Sequence, residues 1–287
     1  MISLVCASHR GKYKLPKLIN SIKKLKHKPN EIIICVTDKN DISKINYSTI
    51  KNLNIKIIVS KISNQVYQRH LALMKSKNKI ITQVDDDIQF IGEPFFFINK
   101  ICNNNKNKVL GFYAVDQEQN KNLYNYWDKI YREKKFYFYF IKFLSHKFKI
   151  KNMSILKSGR VNPYINFNSK YQINNLEFLN SCFSYNRELI HKFNNKNLMK
   201  SQKAIVYEDI FTTYNLYKLG YDLCIDRRVK LSHPTISKKI NLSKYINRII
   251  KINEFRKKYN FSLFYFMIDF LLISPVYFYI RYYVRKK

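Results

Sequence analysis

Three consecutive carboxylates, Asp85-Asp86-Asp87, close the apolar run 79–84 in a chain with only 19 acidic residues. Packing three anions together is unfavourable unless a cation shares the site, and hard oxygen ligands favour Mg2+ or Mn2+. Alternate side chains of an extended chain face the same way, so Asp85 and Asp87 converge while Asp86 points elsewhere. Mg2+ usually completes its shell with substrate phosphates, so one divalent ion plus a diphosphate is the ligand set this spacing suits. A solvated acidic turn is the competing explanation. A second pair, Glu208-Asp209, opens a helical stretch that stops at Gly220. Acids in a first turn are favoured by the helix dipole, by roughly 0.3–1 kcal/mol each, so capping alone can account for them. Beside a metal-bound phosphate, the same carboxylate would instead take a proton from an acceptor hydroxyl. His233, a lone histidine next to Pro234, reads on its own as structural.

Such groups need a frame. Residues 2–7, 31–36, 55–60 and 79–84 read as strands. Between them, 14–26 places Leu15, Leu18, Ile19, Ile22 and Leu25 at helical spacing, and 65–76 is a weaker helical pattern. Strand and helix alternating, with continuously apolar strands, mean an α/β fold whose mostly parallel sheet is covered on both faces. Ligands of such sheets sit beyond the carboxyl ends of the strands, where the three aspartates fall. Further on, 124–150 is rich in aromatics and lysine, 152–175 is polar and loop-like, and regularity returns at 176–185 and 209–219.

The balance of charge is extreme. Against those 19 acids stand 53 Lys and Arg, a net +34, in 287 residues. Such a field attracts nucleic acid, acidic headgroups or phosphorylated small molecules, although abundant Lys, Asn, Ile, Tyr and Phe also accompany AT-rich coding. A basic nucleic-acid-binding protein without transferase activity is the alternative from another class. Its basic residues are spread over the chain, with no RNP, zinc-finger or helix-turn-helix pattern, so no specific nucleic acid is expected. A 46% apolar and 16% aromatic composition excludes a disordered chain. The five cysteines show no CxxC and no metal spacing, which suits a reducing compartment. Residues 1–6 read as a first strand rather than a secretory leader.

Taken in order, these pieces resemble the GT-A glycosyltransferases of family 2, which transfer a sugar from a nucleotide donor with inversion. Residues 2–10, Ile-Ser-Leu-Val-Cys-Ala-Ser-His-Arg, resemble the family's first strand and following loop. Residues 64–73, Asn-Gln-Val-Tyr-Gln-Arg-His-Leu-Ala-Leu, resemble its "GxxxARNxGL" helix, and Val84 to Asp87 its DxD motif. Residues 180–188, Asn-Ser-Cys-Phe-Ser-Tyr-Asn-Arg-Glu, are similar to its acceptor-side strand. Glu208-Asp209 followed by Gly220-Tyr221 resembles the "ED" helix, and Val229 to His233 the closing "V.H". The chain departs from the pattern in three places. The second strand ends Val-Thr-Asp-Lys-Asn-Asp (36–41) where paired aspartates are usual, the glycine ahead of Arg69 is missing, and Lys218 stands where the "ED" helix carries arginine.

The resemblance implies a metal-dependent transferase. Asp85, Asp87 and His233 would hold Mn2+ or Mg2+, and Ser8, Asp38, Arg69 and Asp86 would bind the nucleotide-sugar. Asp209 would be the general base, with Glu208 orienting it or the acceptor. The QxxRW signature of processive relatives does not occur, so single additions to a glycan or polyprenyl-linked acceptor, in surface polysaccharide synthesis, are expected. The implied organisation is a nucleotide-sugar-binding half (1–110), an acceptor-binding half (111–235) and a basic, apolar helical segment (236–287). Residues 261–280 are almost wholly apolar and long enough to cross a bilayer core of ~30 Å. Asp269, Ser274 and Pro275 inside the run, and basic flanks, favour a segment lying on an anionic membrane surface over one that spans it. A packed C-terminal helix is the remaining alternative. The expected location is cytoplasmic, peripheral on the inner face of the membrane.

Overall fold

The computed structural model describes residues 1–115, 152–162, 165, 170–192, 207–233 and 242–273. Compactness divides the chain into one unit of residues 1–116 and 167–234 and another of 117–166 and 235–287. The halves expected at 110 and 235 divide it instead by donor and acceptor role.

In the first unit the chain opens with β1 (Ile2–Ser8), α1 (Leu15–Lys23), β2 (Glu31–Val36), α2 (Tyr47–Asn52), β3 (Ile55–Val59) and α3 (Gln65–Lys75). It continues with β4 (Ile80–Val84), β5 (Gln89–Ile91), α4 (Pro94–Asn104) and β6 (Lys108–Ala114). The second unit contains a short hairpin, β7 (Ser154–Ile155) with β8 (Val161–Asn162). Returning to the first unit are β9 (Gln172–Ile173), β10 (Phe183–Asn186), α5 (Glu208–Lys218) and β11 (Asp222–Ser232). The second unit then adds α6 (Leu242–Lys258) and α7 (Leu263–Ile268), which continues as a π-helical turn through Asp269–Ile273.

The four strands and two helices read from the first ninety residues are all present. Every residue of β1, β2 and β4 is buried, as strands covered on both faces must be. Leu15, Leu18, Ile19 and Ile22 of α1 join Leu4, Cys6, Ile32 and Ile34 of the sheet in one core. All five cysteines are free and buried, and behave as small hydrophobes. α5 ends as expected at Gly220, whose φ of +87° lets Tyr221 N–H reach the Leu216 carbonyl at 3.1 Å.

Among the described residues the main sheet runs β3-β2-β1-β4-β10-β6-β11-β5, with β9 beside β11. The first four of these strands are mutually parallel. β10 then runs antiparallel between β4 and β6, and β11 is parallel to β6 and antiparallel to β5. The sheet is therefore mixed, and the carboxyl ends of β1, β4 and β11 lie on one edge. The structure departs from the sequence reading in the later strands. Of 176–185 only the last three residues are in a strand, and the polar stretch 152–175 contributes β7, β8 and β9. The aromatic run 124–150 lies outside the described residues.

Candidate active site

The acidic groups gather at the carboxyl edge of the sheet, each placed by a strand register or a helix start. β1 pairs with β4 so that Cys6 lies opposite Val84. Two residues further, Ser8 Oγ donates to Asp86 Oδ2 at 2.6 Å, and Lys14 Nζ lies 2.9 Å from Asp86 Oδ1 and 3.9 Å from Asp87 Oδ2. β10 pairs with β4 through Phe183 and Gln83. Continuing that register brings Ser181 to Asp85, to whose carboxylate its hydroxyl donates. β11 and β5 pair through Ser232 and Gln89, which sets His233 beside Asp87, 3.3 Å from Nε2 to Oδ1.

Arg69 ties the two acidic motifs together. Its side chain is 3% exposed, and its terminal nitrogens donate to Asp85 on one side and Glu208 on the other. Gln65, one helical turn earlier on α3, adds a bond to Asp85 at 3.2 Å. Gln68 fastens that helix to the sheet through the Ser8 and Cys35 carbonyls, at 2.9 and 3.1 Å. α3 starts at Asn64, whose side chain accepts from the amides of Val66 and Tyr67. α5 starts after Tyr207, which has a left-handed φ of +78°, so the chain turns sharply just before Glu208-Asp209.

The electrostatics follow from crowding. Desolvation lifts the Asp86 carboxyl above its ordinary value, against the bonds from Ser8 and Lys14. The hydrogen bond with His233 holds Asp87 below the usual range and raises the imidazole in turn. Asp209 is pushed up to about 7 by desolvation and by the charge of Glu208, against Arg69, with Asp85 adding to the rise. A carboxyl that titrates near neutrality is matched to proton abstraction at physiological pH.

One carboxylate oxygen from each of Asp85 and Asp87 and one nitrogen of His233 lie within 4.8 Å of one another. That set could hold a divalent ion, whose ligands stand at ~2.0–2.1 Å for Mg2+. Two carboxylates with an imidazole suit Mn2+ as well as Mg2+.

Of the residues picked out in the sequence, Ser8, Arg69, Asp85, Asp86, Asp87, Glu208 and His233 form one contact network, and Asp209 adjoins it at the head of α5. Arg69 has two carboxylate partners where the resemblance implied a nucleotide contact. Asp38 stays outside the network: it is exposed, and its side chain caps the turn that follows by accepting from Asn40 N–H at 2.8 Å. The sequence reading missed Lys14, Gln65, Ser181 and Asp41. Asp41 is buried, takes the Gly11 amide on one oxygen at 2.9 Å and leaves the other without a partner among the described residues. Its one available signal was its place in the polar stretch after β2.

No protein-family model and no curated protein sequence matches the chain. Solved structures do. GalNAc-T7 in a crystal with UDP, GalNAc and Mn2+ superposes with a TM-score of 0.56 at 10% identity, over 96% of this chain and 58% of that one. S. aureus TarS gives 0.53 at 14% identity, over 97% and 43%. Its 1-349 fragment gives 0.52 at 11%, over 99% and 73%. The chain thus spans little more than half the length of GalNAc-T7 and less than half of TarS. At these identities the likeness is one of fold: the chain has the GT-A type of mixed α/β sheet flanked by helices.

Proposed function

We propose that this chain is a metal-dependent, inverting glycosyltransferase of the family-2 type. It moves a single sugar from a nucleotide-sugar to a hydroxyl of a glycan or polyprenyl-linked acceptor in surface polysaccharide synthesis. Residues 1–110 bind the donor, 111–235 the acceptor, and 236–287 meet the inner face of the cytoplasmic membrane. The observation that carries the reading is the meeting of Asp85, Asp87 and His233 on the sheet edge where the Arg69–Glu208 pair presents Asp209. The presence of UDP and Mn2+ in GalNAc-T7 makes a UDP-sugar the first donor to try.

In this reading Asp85, Asp87 and His233 hold Mn2+ or Mg2+. A divalent ion there supplies neutralisation of charge on the leaving nucleoside diphosphate. Ser8 and Lys14 fix Asp86 at the donor side, and Arg69 holds Asp85 and Glu208 in place. Asp209 accepts the proton of the acceptor hydroxyl as that oxygen attacks the anomeric carbon from the face opposite the leaving group. Asp38, at the end of β2, faces the base of the nucleotide.

Thermal denaturation of the full chain with UDP and UDP-sugars, with and without Mn2+, tests the reading. A ligand at a hundredfold excess over its Kd stabilises the native state by about 2.7 kcal/mol, enough to read plainly. The expected result is a shift that needs Mn2+ and disappears in Asp87→Asn. Transfer to an acceptor should then give a product of inverted anomeric configuration by NMR. Absence of any Mn2+-dependent shift across nucleotides sinks the donor site, and a retained anomer sinks inversion.

A further inference from the structure

α7 and the turn that continues it carry two faces of opposite character. Leu263, Phe264, Met267, Phe270 and Leu271 are all exposed, Phe264 at 67% and Leu271 at 59%. Their spacing, i, i+1, i+4, i+7 and i+8, puts them on one side of a helix. On the other side, Phe266 and Asp269 are buried. Phe266 packs under the Arg256 guanidinium, 5.7 Å away, and the Asp269 carboxylate pairs with Arg160 at 2.7 Å. In the sequence, Asp269 argued against this segment spanning a bilayer. The fold turns it inward and neutralises it, so the outward face is wholly apolar.

The surroundings are basic. Residues 242–287 contain ten Lys or Arg and two acids. Both acids are taken up: Glu254 by Lys251 at 2.6 Å, and Asp269 by Arg160. Lys257 and Lys258 are exposed at the end of α6, just before the apolar face begins, and Lys157 Nζ lies 5.2 Å from the Tyr265 ring. At 1.5 Å per residue, the stretch 263–273 is about 16 Å long, half of a ~30 Å hydrocarbon core. No helix among the described residues is long and apolar enough to cross a membrane. A short helix with one apolar face in a strongly basic stretch of chain suits a charged interface.

We propose that Leu263, Phe264, Met267, Phe270 and Leu271 insert in the plane of an anionic bilayer, with Lys157, Lys257 and Lys258 meeting its headgroups. The Arg160–Asp269 pair holds the helix in the rotation that keeps its one acid away from lipid. This deepens the membrane placement proposed above and rests on that part of the reading alone, not on sugar transfer.

Flotation of the full chain with phosphatidylcholine vesicles, and with vesicles that also contain phosphatidylglycerol, tests it. The protein should float with the anionic vesicles, release at high salt, and stay behind with the neutral ones. Phe264→Glu and, separately, Leu271→Ser replace exposed side chains, and each should lower partition, the first at least tenfold, with the thermal midpoint unchanged. Failure of the natural sequence to float with anionic vesicles overturns the proposal, as does flotation of both variants at its level. Concentration-dependent self-association abolished by Phe264→Glu, without vesicle binding, would assign the face to a second copy and overturn it too. The UDP and Mn2+ thermal shift on the same preparations separates the two readings: its loss with flotation intact removes the transferase and leaves the membrane face standing.

Discussion

Arg69 donates to partners 16 and 139 residues away along the chain, and that span explains why its role was hard to read. A buried guanidinium costs several kcal/mol to desolvate and is held only by well-placed anions. Asp85 and Glu208 are those anions, and their charge adds to the desolvation that raises Asp209. The consequence for pH has a definite sign. Asp209 keeps its proton up to about 7 in the folded chain, whereas an ordinary aspartate releases it at 3.8. Between those values the native state binds a proton the unfolded state has lost, so this group makes stability fall as pH rises from about 4 and level off above 7. Asp209→Asn is expected to flatten that part of the thermal-midpoint profile and to be more stable than the natural sequence at pH 8, while losing transfer. Calorimetry from pH 4.5 to 8 checks it; an unaltered slope refutes the shift. The acids themselves were visible in the sequence because they are rare and adjacent. Ser181 and Lys14 were not, because serine and lysine are common here and only contact with Asp85 and Asp86 singles them out.

At the scale of elements, the turn from β1 into α1 shows how closely site and scaffold are joined. Gly11 sends its amide to Asp41, and its carbonyl accepts from the amides of Lys14 and Leu15 at 2.9 Å each. A methyl group on Gly11 would stand 2.0 Å from Ser8 Oγ and 3.0 Å from two atoms of Leu15. Gly11→Ala should therefore push Ser8 off Asp86 and cost about 1–3 kcal/mol, the usual range for overpacking. Urea denaturation measures that cost, and weakened UDP affinity should accompany it; full stability would show that the turn has more room than the geometry allows. α1 was readable because its apolar residues repeat at helical spacing. β11 was not, since Asp226, Arg227 and Arg228 interrupt its apolar pattern. Asp226 is nonetheless fully buried, because the Arg228 side chain folds back to it at 2.7 Å. β5 is three residues long, too short to carry any period.

For the whole molecule, a net charge of +34 sets a self-repulsion that any folded arrangement of this chain must carry. Its range is about 30 Å at 0.01 M salt and 10 Å at 0.1 M, so added salt screens it. The thermal midpoint is expected to climb as NaCl is raised from 10 to 300 mM, in the absence of nucleotide or lipid; a flat or falling profile would mean that the cations are already matched locally. The sequence alone determined what is local: which runs are strands, where α1 and α3 lie, that α5 stops at Gly220, and that three aspartates stand at the end of β4. Each follows from side-chain periodicity or backbone preference within a dozen residues. Only the tertiary structure decided that β10 enters between β4 and β6 to bring Ser181 to Asp85, that His233 meets Asp87, that Arg69 binds Glu208, and that Asp269 pairs with Arg160. Those pairings depend on strand order and on burial shared between distant segments, and no stretch of sequence contains both halves of any of them.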